Sequence, residues 1–296
     1  MERPAYVMLD QEDAGWTPPD AILELTGVAP ATPAVASNGA GILVRLLGPV
    51  AVVADGTSRP VNGLRRKAVL AVLALHRGVA VSTGRLADVV WGGDPPATPR
   101  STMQRHVSYL RQVLGGRDVI VARSPGYLLD PVRAGTDVAA AERLIEESAQ
   151  AAGHIREQRL RDALALWQGR PLADVDDLPW LREEAERLEQ LRLRASRALA
   201  ETRLALGEHA QLLPELEALS KEHPFDEQVH AQLMLALYRS GRQADALGVY
   251  RRLRHSLASE LGIDPWRPLR DLETAILRQD RALDLAPQPV PLNAVR

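Results

Sequence analysis

The apolar residues along the chain follow two periods, and each period predicts a different kind of element. Short runs rich in Val, Ile and Leu predict strands at Ile42–Leu47 and Val50–Ala54. Helical spacing then predicts three helices, at Leu64–Arg77, Ser82–Trp91 and Thr98–Gly116. Two further short runs predict a hairpin, at Val119–Ala122 and Tyr127–Leu129. This order of elements predicts a winged helix-turn-helix of the α+β class. We expect the hydroxyl groups of Ser82 and Thr98 to cap the second and third helices.

The second half of the chain is helical throughout. The predicted helices span residues 137–152, 155–168, 179–206, 209–222, 226–240, 242–261 and 266–283. Gly207 and Gly241 are 34 residues apart, and small or apolar residues recur at the same offset in the pairs 210/244, 213/247, 216/250 and 219/253. This spacing is typical of tetratricopeptide-type helical hairpins. The alternative is a chance match in a region rich in Ala and Leu.

These patterns predict a mainly α fold with two domains. A winged helix-turn-helix at residues 41–133 precedes an all-α, tetratricopeptide-like helical-repeat domain at 134–283. We expect residues 1–40 to form a flexible arm with a short helix around Asp20–Leu25, because they are Pro-rich and acidic. The Pro-rich residues 284–296 are expected to form a disordered tail.

The chain has 296 residues and no cysteine, which excludes disulfides and thiolate chemistry. Its longest uninterrupted apolar run, Ala68–Leu75, is far shorter than a membrane span. The first residues lack the basic start and apolar stretch of a signal peptide. We therefore expect a cytoplasmic protein with no membrane partner.

The net charge of −2 is unevenly distributed. Residues 1–40 carry one basic and six acidic side chains (−5), residues 41–133 carry 13 and five (+8), and residues 134–296 carry 22 and 27 (−5). The +8 region has the charge to attract a polyanion such as nucleic acid. A basic surface without a partner is the alternative.

No catalytic or cofactor-binding motif is present. The sequence has no phosphate-binding Gly-rich loop ending in Lys-Ser or Lys-Thr, no Gly-x-Ser-x-Gly elbow and no His-Glu-x-x-His pair. Its seven histidines are dispersed, and its acidic clusters have arginines nearby. We expect no enzymatic activity, no cofactor and no metal site.

The segment Thr98–Gly116 has two distinct faces. Met103, Val107, Leu110 and Leu114 form one narrow apolar stripe. The opposite face carries polar and basic residues and no acid; the predicted DNA contacts here are Ser101, Gln104, Arg105, Ser108 and Tyr109, with Arg100 and Arg111 flanking them. Such a face can enter a DNA groove without repulsion from phosphates, and Arg and Gln can pair with base edges. An ordinary amphipathic surface helix is the alternative.

The neighbouring elements favour DNA binding. The preceding helix forms a helix-turn-helix pair with this segment, and the following hairpin resembles a wing. Arg123 near the hairpin tip could reach the minor groove or the DNA backbone. The basic triplet Arg65-Arg66-Lys67 could contact phosphate or a protein, or it could be only an exposed helix start.

Several stretches resemble a known family of regulators. In the first half they are Leu46–Pro49, Arg66-Lys67, Leu86–Trp91, Val107–Arg111 and Ser124–Tyr127. In the second half they are Trp167–Leu172, His223–Glu227, Ala236–Leu247 and Glu260–Pro265. Over about residues 41–280 the chain resembles the Streptomyces antibiotic regulatory protein family. That family joins an OmpR-type winged helix to a bacterial transcriptional activator domain.

The resemblance implies an activator of an antibiotic or other secondary-metabolite gene cluster. Its members bind direct repeats in double-stranded promoter DNA near the −35 region, and they recruit RNA polymerase through its sigma factor. It implies a homodimer or a side-by-side pair on DNA, a place for His106 on the recognition helix, and polymerase contacts from the loop with Gly92, Gly93 and Asp94. We also predict a polymerase contact for the triplet Arg65, Arg66 and Lys67. The chain has Ser101, Ser108 and Tyr109 where related winged helices often have Arg, which would make binding depend more on pairing. A non-catalytic adaptor acting through its helical repeats is the alternative function.

Overall fold

The computed structural model of the chain describes residues 41–285. The predicted arm at 1–40, its short helix at 20–25 and the tail from residue 286 lie outside the described residues. Within residues 41–285, no helix is both long and apolar enough to cross a membrane.

The first part of the described chain contains seven strands and three helices. The strands are β1 (Ile42–Arg45), β2 (Ala51–Ala54), β3 (Thr57–Arg59), β4 (Val81–Ser82), β5 (Ile120–Arg123), β6 (Gly126–Leu129) and β7 (Ala134–Thr136). The helices are α1 (Leu64–Leu75), α2 (Thr83–Trp91) and α3 (Pro99–Val113). The predicted order of strands, three helices and hairpin is confirmed.

The second part is helical, as predicted. Its helices are α4 (Asp137–Ala149), α5 (Gly153–Leu164), α6 (Pro179–Ala205), α7 (His209–Glu222), α8 (Glu227–Arg239), α9 (Gln243–Ser256) and α10 (Arg267–Arg278). A π-helical turn at Leu257–Leu261 follows α9, and a 3-10 turn at Arg281–Leu283 follows α10. The helices predicted to end at residues 152, 168 and 283 therefore end earlier, at 149, 164 and 278.

The strands form two small sheets, in the orders β3-β2-β1-β7 and β4-β6-β5. Strand β1 pairs antiparallel with β2 and parallel with β7, where Leu43 lies opposite Gly135. The pattern did not predict β3, β4 or β7, which have only two or three residues each. Strand β7 is also an exception to the wholly helical second half, because its partner β1 lies some ninety residues earlier in the chain.

The two predicted helix caps have different outcomes. The Oγ of Ser82 accepts a hydrogen bond from the Arg85 backbone N–H at 3.1 Å, so this cap is confirmed. The prediction for Thr98 is wrong, because its side chain makes no capping hydrogen bond. The Thr98 carbonyl instead accepts from the Thr102 N–H and the Ser101 hydroxyl.

One apolar core joins the winged helix to the first helices after it. It runs from Val44 in β1 to Leu191 in the middle of α6 and includes the predicted stripe of α3, whose four residues are all buried. A second core fills the C-terminal helices, from Ala200 to Ile276. Because the first core crosses from the winged helix into the activator helices, we expect these parts to move together.

Polar groups reinforce this junction. The buried carboxylate of Asp137, at the start of α4, accepts hydrogen bonds from the N–H groups of Leu46 and Leu47 and from that of Val138. Burial raises the pKa of Asp137 to about 6, against the lowering effect of these donors. The N–H groups of Gln168 and Leu172 bond in turn to the carbonyls of Leu47 and Leu46.

The 34-residue repeat is visible in the C-terminal helices. Gly207 and Gly241 both have positive φ, 87° and 76°, at equivalent turns before α7 and α9. Three of the four matched pairs share their burial: Leu216 and Tyr250 are both buried, Leu213 and Leu247 are both half-buried, and Ala210 and Ala244 are both exposed. Helix α8 packs against both α7 and α9, as stacked helical hairpins require.

Candidate nucleic-acid interface

The hairpin β5–β6 is fastened to the start of α2. Strand β6 pairs with β4, which places Gly126 opposite Ser82. A Cβ atom on Gly126 would lie 2.0 Å from the Val81 carbonyl oxygen, so no other residue fits there. The Thr83 N–H also bonds to the Pro125 carbonyl at the hairpin tip, at 3.3 Å. The wing is therefore held beside the helix-turn-helix rather than left to swing.

Helix α3 has an apolar side in the core and a polar side in solvent. Its exposed side chains are Arg100, Ser101, Gln104, Arg105, Ser108 and Gln112. Most of them line one open groove, together with Thr98 and Tyr109. Helix α3 contains no Asp or Glu. The sequence-based division of this helix into two faces is confirmed.

The basic groups on this surface are not neutralised. Arg105 donates a hydrogen bond to the Thr102 hydroxyl at 3.0 Å, which holds its side chain along the helix. Within residues 41–285, neither Arg100 nor Arg105 forms an ion pair, and the same is true of the exposed Arg123 in the wing. The surface can therefore offer free guanidinium groups to an anion.

Two predicted contact residues lie at the edge of this face and pack inward. The hydroxyl of the half-buried Tyr109 accepts a hydrogen bond from the Asn62 N–H at 3.1 Å, and the Arg66 guanidinium lies 4.0 Å from its ring centre. His106 is also half-buried, with its ring 6.1 Å from that of Trp91. Burial lowers the pKa of His106, and the charges of Arg66, Arg105 and Arg65 lower it further. The contact between Arg66 and Tyr109 places the basic start of α1 beside α3.

Arg111 has a different position from the one that the sequence predicts. Its Nε and Nη2 atoms donate hydrogen bonds to the Ile120 carbonyl at 2.8 and 2.6 Å. The guanidinium therefore joins the end of α3 to the first strand of the wing. In this arrangement the half-buried Arg111 holds the wing against α3.

The other predicted positions are divided between solvent and the fold. Arg65 is exposed, as are Gly92, Gly93 and Asp94 in the loop between α2 and α3. Lys67 is half-buried and forms an ion pair with Asp174, beyond α5. Thus Arg66 and Lys67 are bound to other parts of the protein, while Arg65 and the loop remain available.

Sequence reasoning missed three partners of these residues. Asn62 donates a hydrogen bond to Tyr109, and Asp174 forms an ion pair with Lys67. The ring of Trp180 stacks on His76 at 5.5 Å and lies under the Arg85 guanidinium at 5.2 Å. Asp174 and Trp180 come from the chain just before and at the start of α6. No local pattern indicated them: the contact of Asn62 with Tyr109 spans 47 residues, and those of Asp174 and Trp180 span about a hundred.

One cluster has the residue types of a metal site. His154, Glu157 and Glu208 have their ligand atoms within 4.8 Å of one another. However, Arg161 donates to Glu157 and lies 3.9 Å from Glu208, and Arg203 donates to Glu208 at 2.8 Å. Two guanidinium groups therefore already balance both carboxylates, and the donor set fits an ion-pair network better than a cation site.

Two family models match the chain. The model for the bacterial transcriptional activator domain matches residues 135–277, and the model described as transcriptional regulatory protein, C terminal, matches residues 64–129. The second match contains α1, α2, α3 and the hairpin β5–β6. The first begins in β7 and continues into α10.

Several known proteins are similar over most of the chain. The regulatory protein DnrI of Streptomyces peucetius is 39% identical over 265 residues, which cover 85% of this chain and 97% of that protein. The regulatory protein AfsR of Streptomyces griseus is 37% identical, and the match covers 88% of this chain but 27% of AfsR. The solved structure of Mycobacterium tuberculosis EmbR in complex with a low-affinity phosphopeptide has a TM-score of 0.77 at 35% identity, covering 85% of this chain and 66% of that one.

Proposed function

The chain belongs to the Streptomyces antibiotic regulatory protein family of transcriptional activators, and from this membership we propose that it binds specific promoter sequences and activates a secondary-metabolite gene cluster. The observation that supports DNA contact most strongly is the outer face of α3. It offers Arg100 and Arg105, which form no ion pair within residues 41–285, together with exposed Gln and Ser side chains, and it has no carboxylate. A helix of this kind fits the major groove of B-DNA.

Gln104 and Arg105 are the proposed readers of sequence. They are adjacent and exposed near the middle of the face, and their side chains can form paired hydrogen bonds with adenine and guanine edges. Arg100, Ser101 and Ser108 surround them and are suited to phosphate oxygens, which fix the register of the helix on the duplex. Arg123 would add a backbone or minor-groove contact from the wing.

The remaining predicted residues act by positioning in this proposal. Arg111 fixes the wing against α3 through Ile120, and Tyr109 connects α3 to Asn62 before α1. His106 packs against Trp91 at the end of α2. Changes at these positions would misplace the contact residues rather than remove a contact with DNA.

Polymerase recruitment is assigned to the surface that remains free beside the helix-turn-helix. Arg65 and the loop of Gly92, Gly93 and Asp94 are exposed, whereas Lys67 is already paired with Asp174. We assign the contact with the sigma factor to Arg65 and this loop. Two copies would occupy direct repeats near the −35 region, side by side on one face of the duplex.

Footprinting of the full chain on promoters beside its own gene tests this function, with and without RNA polymerase. We expect protected sites whose spacing is a multiple of one helical turn, about 10 base pairs, and an extended footprint when polymerase holding its sigma factor is added. The double variant Gln104→Ala/Arg105→Ala should weaken binding at least about thirtyfold, because each lost base contact costs about 1–3 kcal/mol.

Arg194→Ala is the matched control, because Arg194 is exposed in the middle of α6 and has no ion pair within the described residues. This variant should produce the wild-type footprint. If the double variant protects the same sites at the same protein concentration, α3 is not the reading helix and the proposed interface is wrong.

A further inference from the structure

A second basic surface lies in the C-terminal helices. A groove with a volume of about 670 Å³ runs between α7 and α9, over a floor supplied by α8. Lys221 lies on the α7 wall, Arg251 and Arg252 on the α9 wall, and His230 on α8. Because α8 packs against both neighbours, the walls are fixed by the repeat itself.

The charges in this groove are mostly unpaired. Lys221, Arg251 and Arg252 are exposed, and none of them forms an ion pair with another residue in the described range. Of the two acids that line the groove, Asp245 is paired with Arg242 at 2.7 Å, which leaves Glu217. The groove is therefore a local cationic surface in a part of the chain, residues 134–296, whose net charge is −5.

Gly248 in the α9 wall leaves space for the side chain of Arg252. Gly248 lies inside α9, where glycine is less favourable than alanine by about 1 kcal/mol. A Cβ atom there would lie 3.3 Å from Nη1 of Arg252, so the missing side chain leaves room for that guanidinium. The charge of Arg252 also helps to lower the pKa of His230 on α8, after the larger effect of burial. Arg252 therefore lies on the α9 wall, with its guanidinium beside Gly248.

We propose that this groove binds an acidic segment of a partner protein. Charge complementarity selects an anion, and the acidic surroundings disfavour a long polyanion such as DNA. The floor residues Leu233, Leu237 and Val249 are buried, so the groove lacks the apolar, enclosing lining of a small-molecule pocket. An open groove between two helices is instead the shape that a short peptide segment fills. This activity is separate from DNA binding through α3.

Phage display of random peptides on the full chain tests the proposal. We expect the selected peptides to be rich in Asp and Glu. A synthetic copy of the strongest one should bind the Arg251→Glu/Arg252→Glu variant at least about tenfold more weakly, as measured by calorimetry. Arg194→Glu on α6 is the matched control and should bind the peptide as the wild type does. Promoter binding should be unchanged in both variants, which separates this test from that of the interface on α3.

A second variant distinguishes a loss of peptide binding from a loss of folding. In Gly248→Glu, the new carboxylate lies one turn before Arg252, where an ion pair supports the helix. This variant should keep its melting temperature and lose peptide binding. The proposal is overturned if no acidic peptide is selected or if the variants bind the peptide normally. It is also overturned if inorganic pyrophosphate binds as tightly as the peptide, because the groove is then a small-anion site.

Discussion

Arginine is abundant in both halves of this protein, but its side chains have different surroundings in α3 and in the helices that follow. In α3, Arg100 and Arg105 have no acidic residue within one turn, and they form no ion pair in the described chain. In α4 and α5, Arg143 pairs with Glu147 at 2.7 Å and Arg161 with Glu157 at 2.7 Å, each one turn away. Neighbouring acids, more than the number of arginines, decide whether a basic group is available to a polyanion.

Arg111 marks the limit of this rule. It lies on α3 and has no acidic neighbour in that helix, yet the Ile120 carbonyl accepts two hydrogen bonds from its guanidinium. A backbone carbonyl can therefore hold a guanidinium group in place by hydrogen bonds, as a carboxylate does. The number of basic residues on a helix therefore overestimates how many can reach DNA. Those whose side chains are hydrogen-bonded within the protein have to be subtracted.

Charge reversal at Arg105 should have the largest effect. Arg105→Glu removes a proposed base contact and places a carboxylate against phosphates, so promoter affinity should fall about a thousandfold. Thermal stability should be nearly unchanged, because the contact of Arg105 within the protein is one exposed hydrogen bond with Thr102. A mobility-shift titration and a melting curve measure the two quantities.

The same reversal in the activator helices provides the comparison. Arg194→Glu changes an exposed position on α6, among residues that already include many acids. Its promoter affinity should stay within about twofold of the wild type, since charges separated by more than about 10 Å are largely screened at moderate salt. Equal losses in both variants would mean that net charge, and not the face of α3, controls DNA binding.

Removal of a buried arginine should have the next largest effect, on stability rather than on binding. Arg203 in α6 is 5% exposed, and it donates to Glu208 at 2.8 Å and to Glu215 at 2.7 Å. Arg203→Ala removes the ion pair of Glu215, leaves Glu208 with only the more distant Arg161 at 3.9 Å, and leaves a cavity beside α7. The free energy of unfolding should fall by about 2–4 kcal/mol in denaturant titrations.

Arg203→Met separates the charge from the volume. Methionine fills much of the same space without a charge, so it should recover part of the lost stability. Both variants should bind promoter DNA normally while folded. If Arg203→Ala is as stable as Arg194→Ala, the ion-pair network does not stabilise the junction of α6 and α7.

The sequence predicted the structural features that depend on residues close together in the chain. The stripe from Met103 to Leu114 could be read from helical spacing, and the cap at Ser82 from its position before an apolar helix. The turn glycines at 207 and 241 could be read from their 34-residue offset. In each case the interaction that forms the feature lies within a few residues, so the pattern contains the information.

Contacts between distant segments could not be read in this way. Nothing near Lys67 indicates that Asp174 is its partner, and nothing near Asp137 indicates that its carboxylate accepts hydrogen bonds from Leu46 and Leu47. Strand β7 is three residues long and exists because β1 lies beside it. The exposed side of α3 could therefore be read from the sequence, but the hydrogen bonds of Arg111 to Ile120 required the fold.

A pH titration of stability should show the smallest effect. It compares a paired carboxylate in α5 with helix α3, which contains no carboxylate. A hydrogen bond from His154 lowers the pKa of the buried Glu157, with Arg161 assisting, although burial opposes both. A carboxyl whose pKa is lower in the folded state stabilises the fold above its unfolded value and loses that contribution as the pH falls through the folded value. We expect Glu157→Gln to be less stable than the wild type by about 0.5–1 kcal/mol at pH 6, and this difference should shrink as the pH falls through the lowered pKa of Glu157. Gln104→Ala on α3 should follow the wild-type profile at every pH, because it removes no charge from the protein. A constant difference between Glu157→Gln and the wild type across this range would show that Glu157 acts through packing and not through its charge.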